Sequence, residues 1–259
     1  MTRFRSFAIA ATIGFASVAA SASALMPDFA NVPTGWTTDR YDPAAFANVG
    51  TYQGRSDVLG ISISSADSLA NRTAGFQSSF YNTQGKKHVV SGGASSSLAA
   101  DLYIDSGWDV GSAGNVRSDM WGVTDNAPLQ YPIIGFTNYG GSARYRVYDQ
   151  DAAGGWVDLT TTVAFGAWTS FEILFTGAAY EFYINDVNVY TDTTIGAATG
   201  FSAVIMQAYN FGDPAFLPNA FADDYTAHWS NAQVVPEPAS IALVALALLG
   251  AVGATRRKS

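Results

Sequence analysis

The stretch Trp168-Thr169-Ser170-Phe171-Glu172-Ile173-Leu174-Phe175, followed after Thr176-Gly177-Ala178-Ala179 by Tyr180-Glu181-Phe182-Tyr183-Ile184-Asn185-Asp186, decides the fold class. Phe171, Ile173 and Phe175 alternate with Glu172, Leu174 and Thr176, and Tyr180, Phe182 and Ile184 alternate with Glu181, Tyr183 and Asn185. Successive side chains of a strand point to opposite faces, so period two buries one set and leaves the other at the surface. Two such runs separated by a short Gly-containing break read as a hairpin. Phe171, Ile173, Phe182 and Ile184 are the expected core.

The same alternation recurs along the chain. Leu98, Ala100, Leu102 and Ile104 alternate with Ala99, Asp101 and Tyr103, and Phe201, Ala203 and Ile205 with Ser202, Val204 and Met206. Residues 58–64, 76–81, 117–123, 131–137, 143–149 and 225–234 read as further strands between Gly, Asn, Asp and Ser. No long window places apolar residues at i, i+3, i+4 and i+7, and no repeat of roughly 20–50 residues is present. About ten or more strands with turn residues between them predict an all-β, antiparallel sandwich. The run Ser91-Gly92-Gly93-Ala94-Ser95-Ser96-Ser97 is expected to be a long loop rather than a linker, because neither flank makes a comfortable domain alone.

The segment from Trp168 through Tyr183-Ile184-Asn185 to Val189-Tyr190 resembles a hairpin of the concanavalin A-like (laminin G-like) jelly-roll superfamily, in which a tryptophan opens one strand and an aromatic-x-asparagine turn closes the next hairpin. The resemblance implies two packed, curved sheets, frequently with a glycan-binding concave face and a calcium ion.

The two ends differ from this body. Met1-Thr2-Arg3-Phe4-Arg5 is basic, residues 7–20 carry no charge, and Ala22-Ser23-Ala24 puts small residues at A-x-A spacing. These are the three parts of a secretory signal peptide, so residues 1–24 are expected to form a signal helix removed by signal peptidase after Ala24. A short N-terminal anchor is the alternative, but the run falls below the ~20 apolar residues that span a bilayer. At the other end Pro236-Glu237-Pro238 precedes an uncharged apolar run over 239–254, then Arg256-Arg257-Lys258. At ~1.5 Å per residue that run gives ~24 Å of helix against a hydrocarbon core of ~30 Å, a marginal span. Translocating Lys and Arg is unfavourable, so the basic cluster stays cytoplasmic and the preceding chain lies outside. Pro236, Glu237 and Pro238, the short transmembrane helix, and Arg256 and Arg257 together resemble the PEP-CTERM sorting signal of Gram-negative bacteria, here residues 235–259. That resemblance implies cutting near the Pro-Glu-Pro tripeptide by an exosortase-type membrane protease, an inner-membrane-tethered intermediate, and release to the outer surface or an extracellular matrix. A permanent single-pass tail anchor is the alternative.

Between the ends, residues 25–234 suffice for one domain with a substantial core. The body carries 8 basic and 20 acidic residues, a net of −12. Such a surface repels nucleic acid and anionic lipid, so membrane contact is expected only through the C-terminal helix before processing. The chain has no Cys, which removes disulfides, thiol catalysis and Cys-ligated metal. With His88 and His228 as its only histidines, one subunit cannot build a three-histidine zinc site.

A catalytic signature is not found. Glycosidases of this superfold need two carboxylates about 5–5.5 Å apart when retaining, commonly as Glu-x-Asp with another Glu close by on one strand. The body holds only Glu172 and Glu181, on successive strands. Gln207-Ala208-Tyr209-Asn210 resembles the tyrosine strand of polysaccharide lyases, without their Gln-x-His motif. His228 alternates with core-like Tyr225, Ala227 and Trp229. Gly-x-Ser-x-Gly, Walker and His-Glu-x-x-His patterns are absent.

A binding face is the remaining candidate. Arg117, Asp119 and Trp121 alternate on one strand, and Arg144, Arg146 and Tyr148 on another, opposite Tyr145 and Val147. If these strands neighbour each other, arginines and aromatics face away from the core, suited to stacking on sugar rings and to bonding hydroxyls or uronate carboxylates. The competing reading is ordinary ion pairing with Trp121 packed under a loop. Calcium, not required but compatible, would need loop oxygens such as Asp149 and Asp151, or Asp223 and Asp224. The sequence therefore predicts an exported, non-enzymatic surface or matrix protein that binds an extracellular polysaccharide, with a polysaccharide-degrading enzyme or a purely structural matrix protein as rivals. Intact mass of surface-released protein is expected to end near Pro236–Pro238; recovery of residues 240–259 in it would refute exosortase processing.

Overall fold

The computed structural model describes residues 22–64, 82–111, 113–211 and 224–231. The signal helix, the C-terminal transmembrane helix and the strand expected at 76–81 lie outside the described residues. Among those described, no helix is long and apolar enough to cross a membrane.

Fifteen strands form two sheets among the described residues. Sheet I runs in the order β13 (Val187–Asp192), β12 (Tyr180–Ile184), β11 (Ala167–Phe175), β6 (Ser96–Ile104), β15 (Tyr225–Ser230), β4 (Leu59–Ile63) and β3 (Ala45–Asn48). The short β1 (Ser23–Ala24) lies parallel beside β6. Sheet II runs β10 (Trp156–Asp158), β9 (Arg144–Tyr148), β8 (Ile133–Thr137), β7 (Arg117–Thr124), β14 (Phe201–Tyr209), β5 (Thr83–Gly92) and β2 (Trp36–Thr38). The chain crosses repeatedly from one sheet to the other, as from β5 to β6, β6 to β7 and β13 to β14. This is a jelly-roll sandwich, and every strand pairing except that of β1 is antiparallel.

The deciding hairpin forms as its alternation requires. Phe171 faces Ile184, Ile173 faces Phe182 and Phe175 faces Tyr180 across β11 and β12, all on the buried side. The next turn is made by Asn185 and Asp186, with φ of 49° and 64°. Both central residues of a tight hairpin turn sit in the left-handed region, where Asn and Asp are the best tolerated non-glycine residues.

Two polar struts tie the sheets together inside the apolar core. Trp229 of β15 donates Nε1–H to Ser118 Oγ of β7 at 2.9 Å, and the Tyr145 hydroxyl of β9 meets Thr169 Oγ1 of β11 at 2.9 Å. The rings of Tyr145, Phe171 and Trp229 lie between them, with centroids 5.5 and 5.9 Å apart. Beyond β1 and β15, which both flank β6, the Asn231 side-chain amide donates to the Pro27 carbonyl, joining the segments that follow these two strands.

Three expectations need correction. Ser91–Ser97 is not a long loop: β5 runs to Gly92, β6 begins at Ser96, and Gly93-Ala94-Ser95 turns the chain between the sheets. Phe201, Ala203 and Ile205 do not share one face, because a bulge between Phe201 and Ala203 shifts the phase. Phe201 joins Val204, Met206 and Ala208 in the main core, while Ala203 and Ile205 belong to a second apolar cluster on the far side of sheet II. The last strand ends at Ser230 rather than near residue 234 among the described residues. Five strands, β1, β2, β3, β5 and β10, fall where none was expected.

Phe182 is fully buried, so Phe182→Ala is expected to destabilise the domain by about 3–5 kcal/mol. Urea unfolding measures this, and a near-neutral result would put the face of the hairpin outside the core.

Candidate functional site

The expected face exists, with an added strand in its middle. β7 and β9 do not touch; β8 lies between them and keeps their residues in line. The pairings align Arg117, Thr137 and Arg144 in one row, Asp119, Gly135 and Arg146 in the next, and Trp121, Ile133 and Tyr148 in a third. β14 extends the second and third rows with Gln207 and Ile205, and β10 extends them with Asp158 and Trp156. All of these side chains lie on the face of sheet II away from sheet I, because the intervening Ser118, Met120, Ile134, Tyr145 and Val147 point into the sandwich.

Asp119 is the floor of this face and is fully buried. Its Oδ2 accepts from Arg117 Nε at 2.6 Å and Gln207 Nε2 at 2.7 Å. Room for the carboxylate comes from Gly135: a Cβ there would stand 2.3 Å from Asp119 Oδ1 and 2.4 Å from the Ser118 carbonyl. Five buried polar atoms of these residues have no hydrogen-bond partner: Asp119 Oδ1, Gln207 Oε1, Trp121 Nε1, Arg144 Nε and Arg146 Nε. Leaving such groups unpaired costs roughly 1–3 kcal/mol each, so an internal water that pairs them recovers that energy.

The rim is cationic and aromatic. Arg146 Cζ lies 3.8 Å from the centroid of the Trp156 ring and Arg117 Cζ 4.7 Å from it. Arg144 Nε is 2.9 Å from Asp158 Oδ1, a pair held by charge without good hydrogen-bond alignment. Burial pushes the Arg146 guanidinium down to about 10, with the Asp119 charge acting in the opposite direction. It stays protonated at neutral pH. Arg117, Arg144, Arg146, Tyr148 and Trp156 remain half-buried and reach solvent.

Trp121 is different. It is 6% exposed, packs with Val123, Ile133, Ala203 and Ile205, and lies under the Arg40 guanidinium, whose Cζ is 4.5 Å from the ring centroid. The ring is covered by the loop that follows β2, which was the competing reading of this residue. Arg117 does pair with Asp119, but Arg144 pairs with Asp158 instead. Trp156 and Asp158 were not singled out from the sequence, and Gln207 was named there only in the run Gln207–Asn210, not as part of this face. Their signal was present only as polar or aromatic residues at alternate positions of short or bulged strands.

The loop acids have other partners. Asp149 Oδ1 accepts from the amides of Asp151 and Ala152 at 2.8 and 3.2 Å, and Oδ2 accepts from the Tyr190 hydroxyl at 2.7 Å. That bond pushes the Tyr190 hydroxyl up to about 12. Asp149 thus caps a turn, and both of its oxygens accept from protein donors. Among the described residues no group of three or more His, Asp or Glu side chains could hold a metal ion. Asp223 lies outside the described residues.

Candidate catalytic groups are dispersed. Asp119 and Asp158 stand three strands apart on sheet II, ~14 Å at ~4.8 Å per strand. Glu172 and Glu181 lie diagonally across β11 and β12 on the outer face of sheet I. Burial raises the Glu172 carboxyl, and Glu181 accepts from the Tyr183 hydroxyl at 2.5 Å. His228 and Tyr209 occupy opposite outer faces of the sandwich and cannot act together within one subunit. His228 stacks on Tyr52 with ring centroids 3.7 Å apart.

A PEP-CTERM protein-sorting motif matches residues 234–258. The motif implies export, membrane-associated sorting and exosortase processing. No curated protein matches the chain. Among solved structures, the chain is similar to a Bacillus licheniformis beta-glucanase, with 14% identity, TM-score 0.48, and coverage of 78% of this chain and 93% of that one. It is also similar to LamA from Z. galactanivorans in complex with laminaritriose and laminaritetraose, with 12% identity, TM-score 0.47, and coverage of 81% and 98%. A third is the Crh5 transglycosylase in complex with NAG, with 11% identity, TM-score 0.46, and coverage of 83% and 88%.

Burial holds the His228 imidazole below its ordinary range, with Asp105 partly opposing. The unfolded chain then binds a proton that the folded one resists, so stability present above pH ~6.5 is lost as pH falls toward the folded value. His228→Gln is expected to show a shallower fall of the thermal midpoint than the parent between pH ~6.5 and ~5. Parallel curves would show that His228 does not titrate in this window.

Proposed function

We propose that this chain is an exported surface or matrix protein that binds an acidic extracellular polysaccharide on the outer face of sheet II and performs no catalysis. The observation that carries the reading is a concentration of charge against the trend of the body. Three of its eight basic residues, Arg117, Arg144 and Arg146, meet on one face of a domain with net charge −12. Among the described residues, Asp119 pairs with Arg117 and Asp158 with Arg144 there.

The chemistry of the face suits uronate-bearing sugars. Guanidinium groups form paired, charge-assisted bonds to carboxylates. Trp156 and Tyr148 offer flat apolar surface for sugar C–H groups, and their rings lie 5.1 Å apart by centroid. Asp119, itself held by Gln207, fixes Arg117 from beneath; both are fully buried, so the half-buried arginines and Tyr148 are the groups that can reach ring hydroxyls. The enzymatic reading rests on the half-buried Glu172 carboxyl diagonal to Glu181, on the opposite sheet, and release of reducing sugar lost in Glu172→Gln would establish it.

Arg144→Ala and Trp156→Ala are each expected to weaken binding to a uronate-rich polysaccharide by about tenfold, ~1.4 kcal/mol, with little change in thermal midpoint. Trp121→Ala, by contrast, is expected to lower the midpoint, because its ring is packed. Binding should fade as the Debye length falls from ~10 Å at 0.1 M salt to ~3 Å at 1 M. Affinity unchanged in both variants would place the ligand elsewhere, and failure to bind any acidic or neutral matrix glycan would leave a structural role.

A further inference from the structure

We propose that leader removal cuts this chain after Ala22, so that the mature protein begins at Ser23; this rests on reading the N-terminus as an export leader. Two overlapping A-x-A frames close the apolar run: Ala20-Ser21-Ala22 and Ala22-Ser23-Ala24. Both meet the requirement for small residues at the cleavage site, so the sequence alone offers two cuts, two residues apart.

The fold separates them. Ser23 and Ala24 are β1, in parallel register with Ser96 and Ser97 of β6. The Ser23 amide donates to the Ser95 carbonyl at 2.7 Å and the Leu25 amide to the Ser97 carbonyl at 2.9 Å. On that side of β6, β15 pairs only with Leu102 and Asp101, so β1 occupies the ladder positions that β15 leaves open. Leu25 then packs on the main core and fills the space over Gly92, where a Cβ would stand 2.3 Å from Leu25 Cδ1.

The charge created by cleavage also favours the earlier cut. A new N-terminus is an ammonium group with a pKa of ~7.7–8.0. After Ala24 that charge would fall on Leu25, half-buried and bonded over the buried Ser97. Desolvation opposes a charge there. After Ala22 it falls on Ser23, which is exposed, and its partner carbonyl belongs to exposed Ser95. The earlier cut keeps both sheet bonds and leaves the charge in water.

The test is N-terminal sequencing of the exported product, made from the full chain with its own leader in a Gram-negative host. The expected first residue is Ser23. Ala24→Phe, which spoils only the second frame at an exposed position, should leave that start unchanged. Ala20→Phe, which spoils only the first, should move the start to Leu25 and lower the thermal midpoint by a few degrees. A parent protein beginning at Leu25, or an Ala24→Phe chain that stays uncut, overturns the proposal while keeping the leader. A product that retains Met1 overturns the leader reading and the proposal with it.

Discussion

The contact on which the rest of the structure depends is the ring stack of Tyr145, Phe171 and Trp229 between the sheets, pinned by Tyr145–Thr169 and Trp229–Ser118 hydrogen bonds. A sandwich without disulfides is held by apolar interdigitation, which is strong but undirected. The two hydrogen bonds supply direction. They cross from β15 to β7 and from β9 to β11, so neither sheet can slip past the other without exposing or orphaning a buried polar group. Once Ser118 and Tyr145 are fixed inward, their neighbours at alternate positions are fixed outward. The cationic face of sheet II is thus a geometric consequence of the core.

This explains which parts were legible in the sequence. On β9 and β12 the inward residues are apolar or aromatic and their neighbours carry polar groups, so period two assigned each side chain to its correct face; on β7 and β11 it did so despite inward Ser118 and Thr169 and outward Trp121 and Leu174. β14 defeats that reading because a bulge after Phe201 changes the phase, and because Val204 and Ile205 face opposite sides that are both apolar. An alternation has no contrast where both faces are buried. β5 was missed for a related reason: its Lys86, Lys87 and His88 look like loop residues, though backbone pairing with β14 and β2 places them in a sheet.

The site was half legible. Arg117, Asp119, Arg144 and Arg146 could be named because each lies on a strand with clear alternation. What joins them could not, since β8 separates the two strands and contributes Gly135, whose role is to have no side chain. Trp156 and Asp158 come from a three-residue edge strand, too short for any periodic signal. Trp121 shows the limit from the other side. Its position on the outer face was readable, but the Arg40 cover depends on how a distant loop folds back.

The bond between Asn231 and the Pro27 carbonyl has a mechanical meaning. The chain enters through β1 and leaves from β15, both beside β6 within sheet I, so pulling on both ends would load those strands and leave the ladders of sheet II out of the force path. The same adjacency makes the domain a natural cassette: a bridge from residue 231 back to residue 23 would not have to span the sandwich, so new ends could be opened in a surface turn such as Asn185-Asp186 with the sheet order unchanged.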